Sequence, residues 1–219
     1  MGKNKLKRFA ANETAQNVIQ EGKELFTSIK GNWRNFYFKN PNPIVCEIGC
    51  GNGEYTTGLS EAFPDKNFIG IDIKGARIFK GSQYAFEKNL RNAAFLRNRV
   101  EFIENNFAEN EVDEIWITFP DPQLKDNREK HRLTHPRFLA IYKKFLKPSG
   151  IVHLKTDSRE LMDYTMGVIE ENKLPLIAHT FDLYSETTLL QEQMGIQTKY
   201  EKMFLAKGKP INYVKFRLG

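Results

Sequence analysis

The feature that most constrains this chain is a regular exchange of short apolar runs and amphipathic stretches that begins at Ile44. The runs Ile44–Ile48, Phe68–Ile73, Val100–Ile103, Val112–Thr118 and Ile151–Lys155 have the length and β-branched content of buried strands. Between them, Glu54–Phe63, Ala76–Leu96, Arg137–Phe145 and Arg159–Glu171 read as helices. Strands that alternate with helices build βαβ units and a mostly parallel sheet. Leu174–Tyr184 and Asn212–Leu218 then follow as strands with no clear helix between them, which allows an antiparallel edge. The expected fold is α/β and Rossmann-like: a mostly parallel seven-stranded sheet with an antiparallel edge strand and helices on both faces.

The stretch before Ile44 reads differently. Residues 1–12 are polar and basic and are expected to be a mobile tail. Val18, Ile19, Leu25 and Phe26 give a short helical stripe within Glu13–Phe26. Asn40-Pro41-Asn42-Pro43 is a turn that marks the start of the main domain. The expected division is therefore a basic extension with a short helix over residues 1–40, and one domain over 41–219.

Composition bounds the class. At 219 residues, 40% hydrophobic and with 17 Phe, the chain can bury a full core. No apolar run approaches the roughly 18 residues of a membrane span, and the basic N-terminus lacks the apolar segment of a secretory signal. A cytoplasmic protein with no membrane association is expected. The two cysteines, Cys46 and Cys50, lack zinc-site spacing and have no histidine cluster to complete one, so no metal site is expected.

Two segments carry chemistry. The first is Glu47-Ile48-Gly49-Cys50-Gly51-Asn52-Gly53, which follows the first strand of the regular pattern and opens a helix. Its Gly-x-Gly-x-Gly spacing lets the backbone turn sharply against a ligand. It is not the Gly-x-Gly-x-x-Gly loop that seats a pyrophosphate, and Glu54 in the first helical turn would repel a phosphate. A ligand with a cationic end suits it better, with Glu47 placed to face an ammonium group. Asp72 ends the next strand, where an acidic side chain meets ribose hydroxyls. Asn106 follows the expected third strand, where an amide meets adenine. The pocket reads as one for S-adenosylmethionine, with S-adenosylhomocysteine as the product form.

The second segment is Phe119-Pro120-Asp121-Pro122, a prolyl-held carboxylate at the end of an apolar strand. Lys125, Arg128, Lys130 and Arg132 follow it. Charge is segregated elsewhere too. Lys74–Arg99 holds seven Lys or Arg and one acid, Lys199–Arg217 six and one, whereas Glu101–Glu114 holds six acids and no base. Such clusters favour a polyanionic partner. Thr156-Asp157-Ser158 reads equally as a functional strand end or as a helix N-cap.

With Lys155-Thr156-Asp157, Thr198-Lys199-Tyr200-Glu201 and Gly208-Lys209-Pro210-Ile211, these residues resemble the bacterial tRNA (guanine-N7)-methyltransferase family over about Pro43 to Arg217. The resemblance implies an S-adenosylmethionine-dependent enzyme that methylates a variable-loop guanine of tRNA. It places the family's cofactor residues on Glu47, Asp72, Asn106 and Asp121, which join Gly49, Gly51 and Gly53 of the loop as the expected cofactor contacts, and Asp121 is also the expected catalytic residue. It implies substrate contacts from Lys125, Asp157, Thr198, Lys199, Tyr200 and Glu201. From local sequence alone, Glu201 would pair with Lys199 or Lys202. The chain departs from the family where Gln123 stands in place of the usual Trp. Guanine N7 carries a lone pair in the neutral base, so no general base is needed, and Asp121 or Asp157 would accept from N1–H and N2–H₂. The expected partner is tRNA, with no obligate protein partner and a monomeric or homodimeric state. The alternatives are another RNA methyltransferase or a non-catalytic RNA-binding protein that keeps the fold.

Overall fold

The computed structural model describes residues 3–219. Its centre is an eight-stranded sheet in the order β1-β4-β3-β2-β5-β6-β8-β7. The strands are β1 (Val18–Gln20), β2 (Ile44–Ile48), β3 (Asn67–Ile71), β4 (Ala93–Arg97), β5 (Val112–Thr118), β6 (Leu146–Thr156), β7 (Leu176–Thr180) and β8 (Asn212–Phe216). β1 to β6 pair in parallel, and β8 runs antiparallel to both β6 and β7. The sheet is Rossmann-like, as expected, with two changes. It has eight strands rather than seven, and its antiparallel strand lies one in from the edge.

The extra strand comes from a helix expectation. Val18 and Ile19 pair with Phe95 and Leu96 on β4 instead of forming a helical stripe. Both are almost fully buried, and a β-branched pair buried on both faces favours a strand. Only a short helix, α2 (Glu24–Ser28), follows. The first two residues lie outside the described residues. From Lys3 the basic segment is a helix, α1 (Lys3–Thr14), rather than a mobile tail. It is anchored by Asn12, whose amide donates to the Gly75 carbonyl at 2.8 Å.

A π-helical turn over Trp33–Phe38 leads into β2. Glu111 fixes it: the carboxylate accepts from the backbone N–H groups of Gly31 (3.0 Å), Trp33 (3.2 Å) and Ala108 (2.8 Å). Trp33 is fully buried and stacks on Phe107 with centroids 5.5 Å apart. Ile19, Ile29 and Trp33 share one core with β2 to β6.

The expected long helix Ala76–Leu96 is two elements. α4 runs Gly75–Glu87 and β4 begins at Ala93. Asn89 ends the helix in the left-handed region (φ 53°). The N–H of Leu90 then donates to the Ala85 carbonyl and that of Asn89 to Phe86, the paired bonds of a Schellman stop. Val100–Ile103, expected as the third strand, lies in a 3₁₀ turn over Val100–Asn105. The remaining helices are α3 (Glu54–Ala62), α5 (Pro136–Lys143), α6 (Arg159–Glu171), α7 (Thr187–Gln191) and α8 (Lys199–Leu205). Among the described residues, no helix is long and apolar enough to cross a membrane.

Candidate functional site

The strand order reverses between β2 and β5, so the carboxyl ends of the parallel strands open there into a crevice. Five segments meet at this end of the sheet: the glycine loop after β2, Asp72 after β3, Asn98 after β4, Phe119–Asp121 after β5 and Asp157 after β6.

The glycine loop needs its glycines. Gly49, Gly51 and Gly53 all have left-handed φ, at 77°, 57° and 74°. A Cβ on Gly53 would stand 2.6 Å from Phe95 and 3.0 Å from the Gly81 backbone. The loop is held to β3 by the N–H groups of Gly49 and Cys50, which both donate to the Ile71 carbonyl. Asp72, half-buried, braces it by accepting from Gly51 N–H at 3.0 Å and Lys74 N–H at 2.8 Å. Cys50 in the loop and Cys46 beneath it are buried free thiols whose pKa burial pushes up.

Glu47 does not face the crevice as an open anion. It is 3% exposed. One oxygen accepts from Thr56 N–H (2.9 Å) and Thr56 Oγ1 (2.5 Å), the other from Thr118 Oγ1 at 2.6 Å. Burial raises its pKa to about 7, against the opposing pull of those three hydrogen bonds. The folded chain therefore holds this proton more tightly than the unfolded one. The sign follows: stability is greatest below the ordinary value of 4.5, falls as pH rises towards 7, and stays lower above it. The cost at pH 8 is of the order of 3 kcal/mol. Glu47→Gln, which keeps an acceptor for Thr56 without the charge, should raise Tm at pH 8 and leave it unchanged at pH 4. Thermal unfolding at the two pH values checks this.

Asn106 is also turned inward. It is 1% exposed. Its amide donates to the Phe26 carbonyl at 3.1 Å and its oxygen accepts from Asn98 Nδ2 at 2.7 Å. It stands at no strand end, because Val100–Ile103 before it is part of a 3₁₀ turn. With β4 ending at Arg97, the amide beyond the strand end is Asn98.

The Pro-Asp-Pro segment is strained at both ends. Phe119 and Gln123, neither a glycine, have φ of 47° and 48°. Phe119 N–H donates to the Lys155 carbonyl at 2.8 Å, and the exposed Asp121 carboxylate accepts from Gln123 N–H at 3.1 Å. Arg132 closes the segment from below: it donates to the Pro122 and Gln123 carbonyls while its guanidinium lies 4.3 Å from the Tyr164 ring centroid. Asp121, Leu124, Lys125 and Arg128 line an open depression beside it.

Asp157 is not the helix cap. That role belongs to Ser158, whose Oγ accepts from Leu161 N–H at 3.1 Å. The Asp157 carboxylate is left with one described partner, Lys209 Nζ, at 3.2 Å.

Thr198–Glu201 divides. Thr198 caps α8 and forms a capping box with Glu201. Glu201 is fully buried and pairs with Lys155, not with Lys199 or Lys202, its Oε1 lying 2.8 Å from the ammonium. Lys199 and Tyr200 are exposed. So Gly49, Gly51, Gly53, Asp72, Asp121, Lys125 and Asp157 come together at the crevice, with Lys199 and Tyr200 exposed on α8. The side chains of Glu47, Asn106, Thr198 and Glu201 are buried and hydrogen-bonded within the fold. Among the described residues, no cluster of His, Cys, Asp or Glu could hold a metal ion.

Solved structures with this topology include the 16S rRNA methyltransferase KamB (TM-score 0.63, 12% identity, 92% of this chain and 98% of that one). Another is a 30S ribosomal A1408 methyltransferase from an uncultured bacterium (TM-score 0.56, 20% identity, 80% and 87%). The fold is thus that of the Rossmann-like methyltransferases, and residues 41–214 match the family model described as "Putative methyltransferase". A tRNA (guanine-N(7)-)-methyltransferase of Christiangramia forsetii is 51% identical over 99% of this chain and 98% of its own. One of Bacteroides fragilis is 47% identical over 100% and 87%. The chain belongs to the tRNA (guanine-N7)-methyltransferase family.

Proposed function

We propose that this chain transfers the methyl group of S-adenosylmethionine to N7 of a variable-loop guanine in tRNA. The observation that carries the reading is the juxtaposition of a glycine cradle, braced by Asp72, with two carboxylates on adjacent strand ends, Asp121 and Asp157. The cradle fits the cofactor: its left-handed glycines leave backbone without Cβ atoms beside the half-buried Asp72 carboxylate, with Asn98 two strands away at the end of β4. In this scheme Asp72 receives the ribose hydroxyls, Asn98 the adenine, and the glycine loop the amino-acid end. When bound, S-adenosylmethionine supplies an electrophilic methyl group.

The chain's own task is alignment, because neutral guanine N7 already offers a lone pair. Holding two reactants in line is worth roughly 7–11 kcal/mol. Asp157 accepts from guanine N1–H and N2–H₂, which selects against adenine. Asp121 stands where positive charge develops on the purine and stabilises it. Lys125, Lys199 and Tyr200 hold the RNA around the target. Their phosphate contacts position the substrate without reading sequence.

The test is methyl transfer from labelled S-adenosylmethionine to unmodified tRNA, with the product digested to nucleosides and identified by mass. N7-methylguanosine is expected, and a different methylated nucleoside, or none, overturns the reading. tRNA affinity should also fall steeply with salt, with a log–log slope of about −0.7 to −0.9 per phosphate neutralised. A flat salt response in a filter-binding titration would contradict the cationic surface.

A further inference from the structure

The buried charge pair Lys155–Glu201 has no part in the chemistry above, and its setting is unusual. Lys155 is 1% exposed and Glu201 0%. The ammonium reaches both carboxylate oxygens, at 2.8 and 3.0 Å. Oε1 also accepts from Tyr184 Oη at 3.0 Å, and Oε2 from Thr198 N–H at 3.4 Å. Gln197 Nε2 in turn donates to Tyr184 Oη at 2.7 Å. The Lys155 ammonium lies 5.0 Å from the Tyr55 ring centroid. Every Glu201 oxygen is thus engaged by two donors from within the chain.

These bonds join parts of the site that are far apart in sequence. Lys155 lies on β6, two residues before Asp157. Glu201 lies in the first turn of α8. At the start of the same helix, Lys199 N–H donates to Glu54 Oε2 at 2.7 Å, just past the glycine loop. Further along it, Phe204 stacks on Phe119 of the Pro-Asp-Pro segment, centroids 5.9 Å apart. So α8 rests on the opening turn of α3 and on the ends of β5 and β6, with Lys199 and Tyr200 on its exposed side.

A buried ion pair is a poor source of net stability, since desolvation offsets most of the attraction. What it supplies is registry: a Glu201 carboxylate that must meet Lys155 on β6 and Tyr184 outside the helix together fixes the rotation and height of α8. We infer that the Lys155–Glu201 pair is a positioning device that seats α8 so that Lys199 and Tyr200 face the RNA, and that Glu201 itself does not touch the substrate. The inference rests on the tRNA reading given above.

The test uses the full-length chain and steady-state kinetics with tRNA at saturating S-adenosylmethionine. Replacing one partner alone would strand a buried charge, whereas replacing both with apolar residues of similar volume is tolerated in comparable pairs. The double variant Lys155→Met with Glu201→Leu should therefore keep a Tm close to that of the unmodified chain and bind S-adenosylmethionine within about twofold of it. Its KM for tRNA should rise about tenfold with kcat changed less than about threefold, the mark of lost substrate positioning. Tyr184→Phe removes one donor to Glu201 without touching either charge and should raise KM about threefold. It decides the matter even if the double variant does not fold. An unaltered KM in the folded variants would reduce the pair to packing and overturn the inference. So would a collapse of kcat at constant KM, which would place Glu201 on the reacting base. The nucleoside made by the unmodified chain tests the function separately, so the two failures are distinguishable.

Discussion

Asp157→Ala is expected to lower kcat/KM for tRNA by about 10²- to 10³-fold, the usual cost of removing one preorganised group that meets the reacting base. The carboxylate is spared from helix capping by Ser158 and balanced only by Lys209 among its described partners. It is thus positioned at the end of β6 without being consumed there. Inosine separates reading from generic charge. It retains N1–H and N7 and lacks the 2-amino group, so the unmodified chain should methylate an inosine-substituted target more slowly than guanine. Asp157→Ala should treat the two bases alike. Asp121→Ala should also slow the reaction while preserving that discrimination, because the role proposed for it is to face developing charge. If Asp157→Ala kept full activity and selectivity, Asp157 would leave the scheme. Rates on the two substrates, measured for three proteins, decide it.

The second large effect is on the glycine loop. Gly53→Ala should lower stability by about 3 kcal/mol, a Tm fall of roughly 6–12 °C for a chain of this size. Two costs add. An alanine at φ 74° is strained, and its Cβ would lie 2.6 Å from the Phe95 ring and 3.0 Å from the Gly81 backbone. The Phe95 ring is fully buried and Gly81 is backbone inside α4, so neither yields readily. Gly22 supplies the control. It has φ of 91° with nothing within 4 Å of its Cβ position, so Gly22→Ala carries only the conformational cost, about 1 kcal/mol. Equal melting temperatures for the two variants would show that the Gly53 contacts are soft. Because Gly53 belongs to the glycine loop proposed to cradle S-adenosylmethionine, Gly53→Ala should also weaken its binding, whereas Gly22→Ala should not.

The parts of the fold legible in sequence were those where local pattern and tertiary pairing agree. Ile44–Ile48 and Val112–Thr118 are central strands buried along most of their length, and their apolar runs mark their ends. The misread elements are those where a single residue or a distant partner decides. Asn89 stops α4 by adopting a conformation usually left to glycine, so no glycine or proline marks the break between α4 and β4. This bears on the site too: the residue just past the strand end is Asn98, whereas Asn106 follows a 3₁₀ turn. Val18 and Ile19 are a strand only because β4 offers an edge some 75 residues later. Thr198-Lys199-Tyr200-Glu201 did hold a local signal. Thr followed three residues on by Glu is the capping-box pattern, and it marks the start of α8. No sequence rule, however, points Glu201 at Lys155, 46 positions away.

The insertion of β8 between β6 and β7 has a consequence for the order of events during synthesis. β7 leaves the ribosome before β8 yet pairs only with it, so β7 has no ladder partner until residues 212–216 arrive. The helix that carries Lys199 and Tyr200 lies in that same interval. Chains grow at about 5–20 residues per second, so the half that holds the glycine loop, β2 to β5, can assemble several seconds ahead of the half that carries α8. A nascent chain should therefore assemble its glycine loop first and seat α8 last.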